Sequence, residues 1–237
     1  MALEKRTDLR WMAKQYLPKR WTDLLRSALP EWIYYPGYGR TTLSYKKLDQ
    51  LLRLLETSLS KQLDGDLIEC GVFRGGSLVE IARMAQTTKP AKRVFGADTF
   101  EGHPFDSPED LPEDNKLVHH RGLFAGNSYA RVADMLAQNG LTNTTLLKGK
   151  LEETLPKLSD RAFCFAHLDL DLYLSTKQAL DFIAPRLVSG GVLVLDDYGA
   201  FDAPGVEKAV AELIPQAEIH RSPIDPTEGS QAFWIKP

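Results

Sequence analysis

Cysteine is scarce in this chain, with two among 237 residues, Cys70 and Cys164. Each sits in a short apolar run and neither has metal-ligand spacing. A disulfide framework and a cysteine-based zinc site are therefore excluded as organising devices, and two buried thiols in a reducing cytoplasm are expected. Long apolar runs are missing as well: none approaches the roughly 20 residues that cross a bilayer. The N-terminus has no apolar stretch of the signal-peptide kind. Stable membrane insertion is not expected, and a cytoplasmic location is. A strong charge excess is also lacking. The net charge of −3 provides no field to recruit nucleic acid, so no nucleic-acid partner is expected. There is no internal repeat and no low-complexity tract. What remains is an ordinary globular composition, 43% hydrophobic and 26% charged, long enough for one sizeable α/β domain with appended helices.

Residues 1–35 read as one or two helices carrying Trp11, Tyr16, Trp21 and Leu24. Seven Lys or Arg and three acids fall in the first 30 residues. Such a basic amphipathic segment can lie on a membrane, but a covering or dimer-forming helix with a solvated basic face is the preferred reading, and a homodimer the expected assembly. YYPGYGRTT at 34–42 is a Pro/Gly break, and residues 43–62 resume helical leucine spacing. Residues 1–62 thus form an expected cap or dimerisation segment, and 63–237 the main domain.

From Asp66 onward, short apolar runs alternate with longer helical ones: LIECGV, RVFGAD, TTLLKG, FCFAHLDL and VLVLDD, with helices near 77, over 128–139, 175–187 and 205–214. AEIHRS and AFWIKP look like a closing antiparallel pair. The alternation predicts an α/β fold, a mostly parallel sheet with helices on both faces. The long, acidic, Pro-rich stretch 101–127 reads as a lid or acceptor loop.

Two acidic clusters carry the chemistry. Asp169 and Asp171 end one apolar run, and Asp196 and Asp197 end the next. Open α/β sheets collect ligands at the carboxyl ends of their strands, so neighbouring strands would offer three or four carboxylates to one crevice. Carboxylates that close repel unless a cation neutralises them, and hard oxygen donors suit Mg²⁺, Ca²⁺ or Mn²⁺.

The first strand of the alternation runs into Glu69-Cys70-Gly71-Val72-Phe73-Arg74-Gly75-Gly76-Ser77. This strand, glycine-rich turn and helix suit a nucleotide phosphate or the amino-acid end of S-adenosylmethionine. The pattern is neither the dinucleotide G-x-G-x-x-G nor a phosphate-binding G-K-[ST] loop. Asp98 closes the second strand, where an acid grips a ribose diol; its competing role is a helix cap. These two features alone leave a nicotinamide-dependent oxidoreductase open.

ECGVFRGGS, GADTFEGHP, LKGKLEETLP, HLDLDLYLSTKQAL and SGGVLVLDDYG together resemble the macrocin O-methyltransferase family in order and approximate spacing, over about residues 35–200. The resemblance implies a Rossmann-like class I methyltransferase dependent on S-adenosylmethionine and Mg²⁺, acting on sugar hydroxyls of macrolides and other natural products. The implied partner is a small glycosylated acceptor. Glu69, Gly71 and Ser77 fall at cofactor positions, Asp98 at the ribose acid, Gly149 and Lys150 near the adenine, and Asp169, Asp196 and Asp197 at the metal ligands. Tyr38, Thr41 and Thr42 would close over the methionine end. The chain departs from the commoner pattern at Lys150-Leu151, where an aromatic is more usual, and at His103, where an apolar residue is.

The resemblance favours Asp169 as ligand and base together, with Asp171, His167 and Lys177 as further candidates. Asp171 could instead orient the acceptor or cap a helix starting near Ser175. His167 reads more readily as a core residue, Lys177 as a solvated one, and His103, His119 and His120 as loop histidines. A catechol-like phenol is the alternative acceptor, and a noncatalytic module that keeps the fold the third class.

Overall fold

The computed structural model describes residues 40–105, 107–114, 116–224 and 230–237. The helices expected in 1–35, and Tyr38, lie outside the described residues.

Helix α1 (Tyr45–Ser60) begins where the Ser44 hydroxyl accepts the Lys47 N–H at 3.3 Å, a side-chain N-cap. Leu48, Leu51, Leu52, Leu55 and Leu59 recur at helical spacing and are buried, each contributing about 1.5–3 kcal/mol through the water it sheds. They pack in the same core as Leu67, Phe165 and Val194 of the sheet, and the Ser58 hydroxyl donates to the Cys164 carbonyl. Residues 43–60 are therefore built into the main core, and the boundary expected at residue 62 divides two segments that share it.

The strands are β1 (Asp66–Cys70), β2 (Val94–Asp98), β3 (Thr144–Lys148), β4 (Phe163–Leu168), β5 (Leu187–Asp196), β6 (His220–Arg221) and β7 (Gln231–Ile235). They form one seven-stranded sheet in the order β3-β2-β1-β4-β5-β7-β6. The first five are parallel, and β7 runs antiparallel to both β5 and β6. Between them lie α2 (Gly76–Thr88), α3 (Tyr129–Gln138), α4 (Leu151–Thr154), α5 (Tyr173–Arg186) and α6 (Pro204–Ala211).

Alternation along the strands sorts side chains to two faces. Leu67, Phe165, Val192 and Val194 pack with α1, α2 and α3. Ile68, Ala166, Leu193 and Leu195 pack with α5 and the end of α6. Helices thus cover both faces, as expected for a parallel sheet. Cys70 and Cys164 are buried free thiols. Among the described residues, no helix is long and apolar enough to cross a membrane.

The chain winds outward from β1 through β2 to β3, then returns to place β4 on the other side of β1. This reversal opens a crevice at the carboxyl ends of β1 and β4. Gly71 closes it at the base, with φ +89°, where an added Cβ would lie 1.7 Å from the Asp169 carbonyl oxygen. Gly71→Ala should cost about 3 kcal/mol or more, from backbone strain and forced separation of the two strand ends. A thermal melt of the purified variant checks this.

Candidate active site

The crevice opens into a cavity lined by Gly71, Asp98, Gly149, Leu151, Asp169 and Asp171 among others. Phe73 and Phe124 meet edge to face over it, with centroids 5.3 Å apart. Asp98 shapes the glycine loop: its Oδ2 accepts the backbone N–H groups of Val72 and Phe73 at 2.8 Å each, and its Oδ1 accepts that of Phe100 at 2.6 Å. Burial pushes the Asp98 carboxyl above its ordinary pKa, against those three donors. Oδ1 keeps acceptor capacity for a hydroxyl in the cavity.

Gly71, Asp98 and Gly149 therefore stand on the cavity wall, as does Thr42. The other cofactor candidates do not. Glu69 is fully buried, and its Oε1 pairs with His167 Nδ1 at 2.8 Å across the β1–β4 register. Alternation puts both side chains on the face covered by α1 and α2, beneath the crevice. Ser77 is buried within α2. Lys150 lines a neighbouring cleft, its ammonium 5.3 Å from the Phe105 ring centroid. The Thr41 hydroxyl accepts the Leu43 N–H.

The acids assemble by register. Leu168 pairs with Leu195, which brings Asp169 beside the end of β5. Carboxylate oxygens of Asp169, Asp171 and Asp197 lie within 4.8 Å of one another. Asp171 and Asp197 hold positive φ, +61° and +55°, strained turns that aim both side chains into the crevice. Asp196 stands outside this set. It shares the face of Val192 and Val194, toward α1, and meets Lys47: Nζ donates to Asp196 Oδ2 at 2.8 Å and to Asp197 Oδ1 at 2.9 Å. The Gln231 amide also donates to Asp196. The clustered triad thus contains Asp171 where Asp196 was expected, because the last residue of a strand keeps the strand's facing and the next, in a left-handed turn, does not.

Burial, and then Asp197, push the Asp169 carboxyl up to about 8, against the pull of Lys47. Burial, and then Asp169 and Asp197, hold Asp171 well above the usual carboxylate range. Asp196 is likewise raised, by burial first and then by Asp197 and Asp169. For Lys47, burial works to lower the pKa, but Asp196 and Asp197 outweigh it and hold the ammonium above its ordinary value. The directions for Lys47 and Asp196 oppose each other across one contact. The ion pair prevails, because a 2.8 Å separation and the Gln231 donor both serve the charged carboxylate. A cluster of carboxylates so destabilised, all hard oxygen donors, fits a dication such as Mg²⁺.

The described residues of the 101–127 stretch fold down on this site. The Asp110 carboxylate accepts the first α5 N–H, that of Tyr173, at 2.6 Å, so Asp110 occupies the capping role considered for Asp171. His103 is largely enclosed, and burial, then His119 and His120, lower its pKa to about 4. Lys177 is salt-bridged to Glu212 on the surface. Lys47 escaped sequence reading, although the signal was present. It falls four residues before Leu51 on the apolar face of α1, where a lysine requires a buried acid.

The model of the TylF macrocin O-methyltransferase family matches residues 11–236. The chain is 34% identical over 205 residues to 8-demethyl-8-(2,3-dimethoxy-alpha-L-rhamnosyl)-tetracenomycin-C 4'-O-methyltransferase of Streptomyces olivaceus, covering 84% of this chain and 77% of that one. It is 29% identical to mycinamicin III 3''-O-methyltransferase of Micromonospora griseorubida, over 69% of this chain and 67% of the relative. Among solved structures, the O-methyltransferase NovP superposes with a TM-score of 0.69 at 25% identity, over 83% of this chain and 82% of that chain. Calicheamicin methyltransferase CalS11, at 21% identity, shares the fold with a TM-score of 0.69 over 98% of this chain and 91% of its own. These likenesses agree with the Rossmann-like sheet and leave no support for the nicotinamide-dependent or noncatalytic alternatives. The chain belongs to the TylF macrocin O-methyltransferase family and is an O-methyltransferase.

Proposed function

We propose that this O-methyltransferase uses S-adenosylmethionine and Mg²⁺ to methylate a sugar hydroxyl of a glycosylated natural product. The observation that carries this reading is the cluster of three carboxylates, Asp169, Asp171 and Asp197, two of which line a cavity that also holds Gly71 and Asp98. The sugar preference rests on the rhamnosyl and mycinamicin methyltransferases among the relatives. When bound, S-adenosylmethionine supplies an activated methyl group, and the dication stabilises negative charge developing on the attacking hydroxyl.

The chain's own residues supply the rest. Gly71 and Gly149 let the backbone approach the cofactor closely, and Asp98 Oδ1 offers an acceptor to the ribose. Asp169 and Asp197 would hold the dication, joined by Asp196 once Lys47 yields. Asp171 lines the cavity and, among the described residues, has ion-pair contacts to His103 and His119 rather than to a lysine. Its carboxylate is placed to take the hydroxyl proton, a role that the sequence had assigned to Asp169. Phe73 and Phe124 shield the methyl site from water.

The test is transfer of labelled methyl from S-adenosylmethionine to a panel of glycosylated natural products and their aglycones. Glycosides should be labelled and aglycones not. EDTA should reduce the rate by about 100-fold or more, with recovery on adding Mg²⁺. Full turnover in EDTA rejects the metal role, and labelling of catechol-type aglycones alone rejects the sugar.

A further inference from the structure

We infer that His103, His119 and Asp171 form a second metal site, selective for a borderline transition-metal dication such as Zn²⁺, that clamps the segment between β2 and α3 onto the turn after β4. The site shares Asp171 with the hard-oxygen cluster, so an ion held there occupies the carboxylate assigned above to take the hydroxyl proton and competes with turnover.

The geometry carries the inference. His103 Nε2 lies 3.4 Å from His119 Nδ1 and 3.5 Å from Asp171 Oδ2, and His119 Nδ1 lies 3.6 Å from Asp171 Oδ1. These three separations exceed a normal N–H···O hydrogen bond, about 2.7–3.2 Å. With one ligand atom taken from each side chain, the three lie within 4.8 Å of one another, close enough for an ion with bonds of about 2.0–2.1 Å to draw them into its coordination shell. The side chains of all three are at most 13% exposed.

The surroundings fit a ligating role. His119 Nε2, on the far side of its ring, faces Asp202 Oδ2 at 3.7 Å. A carboxylate on that side favours the tautomer protonated at Nε2, which leaves the Nδ1 lone pair for a metal. Phe124 packs edge-on against the His103 ring, with centroids 5.2 Å apart, and holds its orientation. Two imidazoles and one carboxylate suit Zn²⁺ and disfavour Mg²⁺. His103 and Asp171 also line the main cavity, so a fourth position faces a space that water or an acceptor oxygen can fill. His103 and His119 come from opposite arms of a loop already joined by the backbone pairs of His103 with Gly122 and Leu123. An ion held there would fasten both arms to the strand end at once.

The experiment titrates the metal-free protein with Co²⁺, the spectroscopic stand-in for Zn²⁺, in excess Mg²⁺. It needs no acceptor and no turnover. One equivalent should produce the intense visible bands of four-coordinate cobalt, which Zn²⁺ then displaces. His103→Leu and His119→Leu should each abolish the bands, whereas His120→Ala, at an exposed neighbour, should keep them. Asp202→Asn leaves the three ligands in place and should weaken Zn²⁺ binding by about 10–100-fold; it decides the matter should either leucine variant fail to fold. Absence of the bands in the parent protein, or their persistence in folded His103→Leu and His119→Leu, overturns the proposal. Unchanged Zn²⁺ affinity in Asp202→Asn overturns it as well.

Discussion

Asp169→Asn is expected to abolish methyl transfer, lowering kcat by about 10³-fold or more, while leaving the fold as stable as the parent or slightly more so. The two halves of this expectation have one cause. In the metal-free protein, burial and the Asp197 charge already push the Asp169 carboxyl up to about 8. A neutral amide of the same shape relieves that repulsion instead of breaking a favourable pair. The Asp169 backbone N–H, which donates to the Cys70 carbonyl at 2.9 Å, is untouched, so the junction of β1 and β4 survives. Activity behaves differently, because an amide oxygen is a weaker ligand for a hard dication than a carboxylate. Losing it removes the charge stabilisation that makes an alcohol nucleophilic. Steady-state rates on a glycosylated acceptor, calorimetric Mg²⁺ titration and a thermal melt separate the outcomes. Mg²⁺ binding and turnover at parental levels would remove Asp169 from the metal site, whereas a large fall in melting temperature would make it a structural residue.

The sheet was readable in the sequence because its signals are local. Five apolar runs, whose strands end at Cys70, Asp98, Lys148, Leu168 and Asp196, each became a parallel strand, and β6 and β7 became the antiparallel pair. Helical periods placed α2, α3 and α5 within a few residues of their bounds. Composition and periodicity need no partner to be visible.

The site was legible only in part. Gly71, Asp98 and Gly149 reach the cavity because turn residues at strand ends point to the crevice whatever surrounds them. Glu69 does not, since it lies within β1 and obeys the strand's alternation, ending beneath the crevice against His167. Asp196 and Asp197 are adjacent in sequence yet have different neighbours, and the left-handed backbone at Asp197 that separates them leaves no mark in composition. Asp171 joined the acid cluster for the same reason. Asp110 and His119 came into place through a long-range fold of the 101–127 loop, which no local pattern encodes.

Lys47 is the most consequential residue that local reading missed, and its removal should reveal why it is there. Lys47→Met is expected to destabilise the metal-free protein by about 3–5 kcal/mol, the usual cost of leaving a buried charge without its partner. The ammonium is a donor to both Asp196 and Asp197 and their sole lysine or arginine ion-pair partner among the described residues. The methionine itself is no burden, since α1 buries its apolar face there and an unbranched thioether fills the same volume. A dication entering the cluster would then have less positive charge to oppose it. Mg²⁺ should accordingly bind the variant more tightly, by about tenfold or about 1.4 kcal/mol, and should raise its melting temperature more than it raises the parent's. Lys47→Arg keeps the charge and should lie close to the parent in metal-free stability. Melts with and without Mg²⁺ decide among the readings. If Lys47→Met loses stability that Mg²⁺ does not restore, the lysine is a structural tether of α1 to β5. If Mg²⁺ restores it, the lysine is a resident counter-ion that keeps the acid cluster folded until the metal arrives.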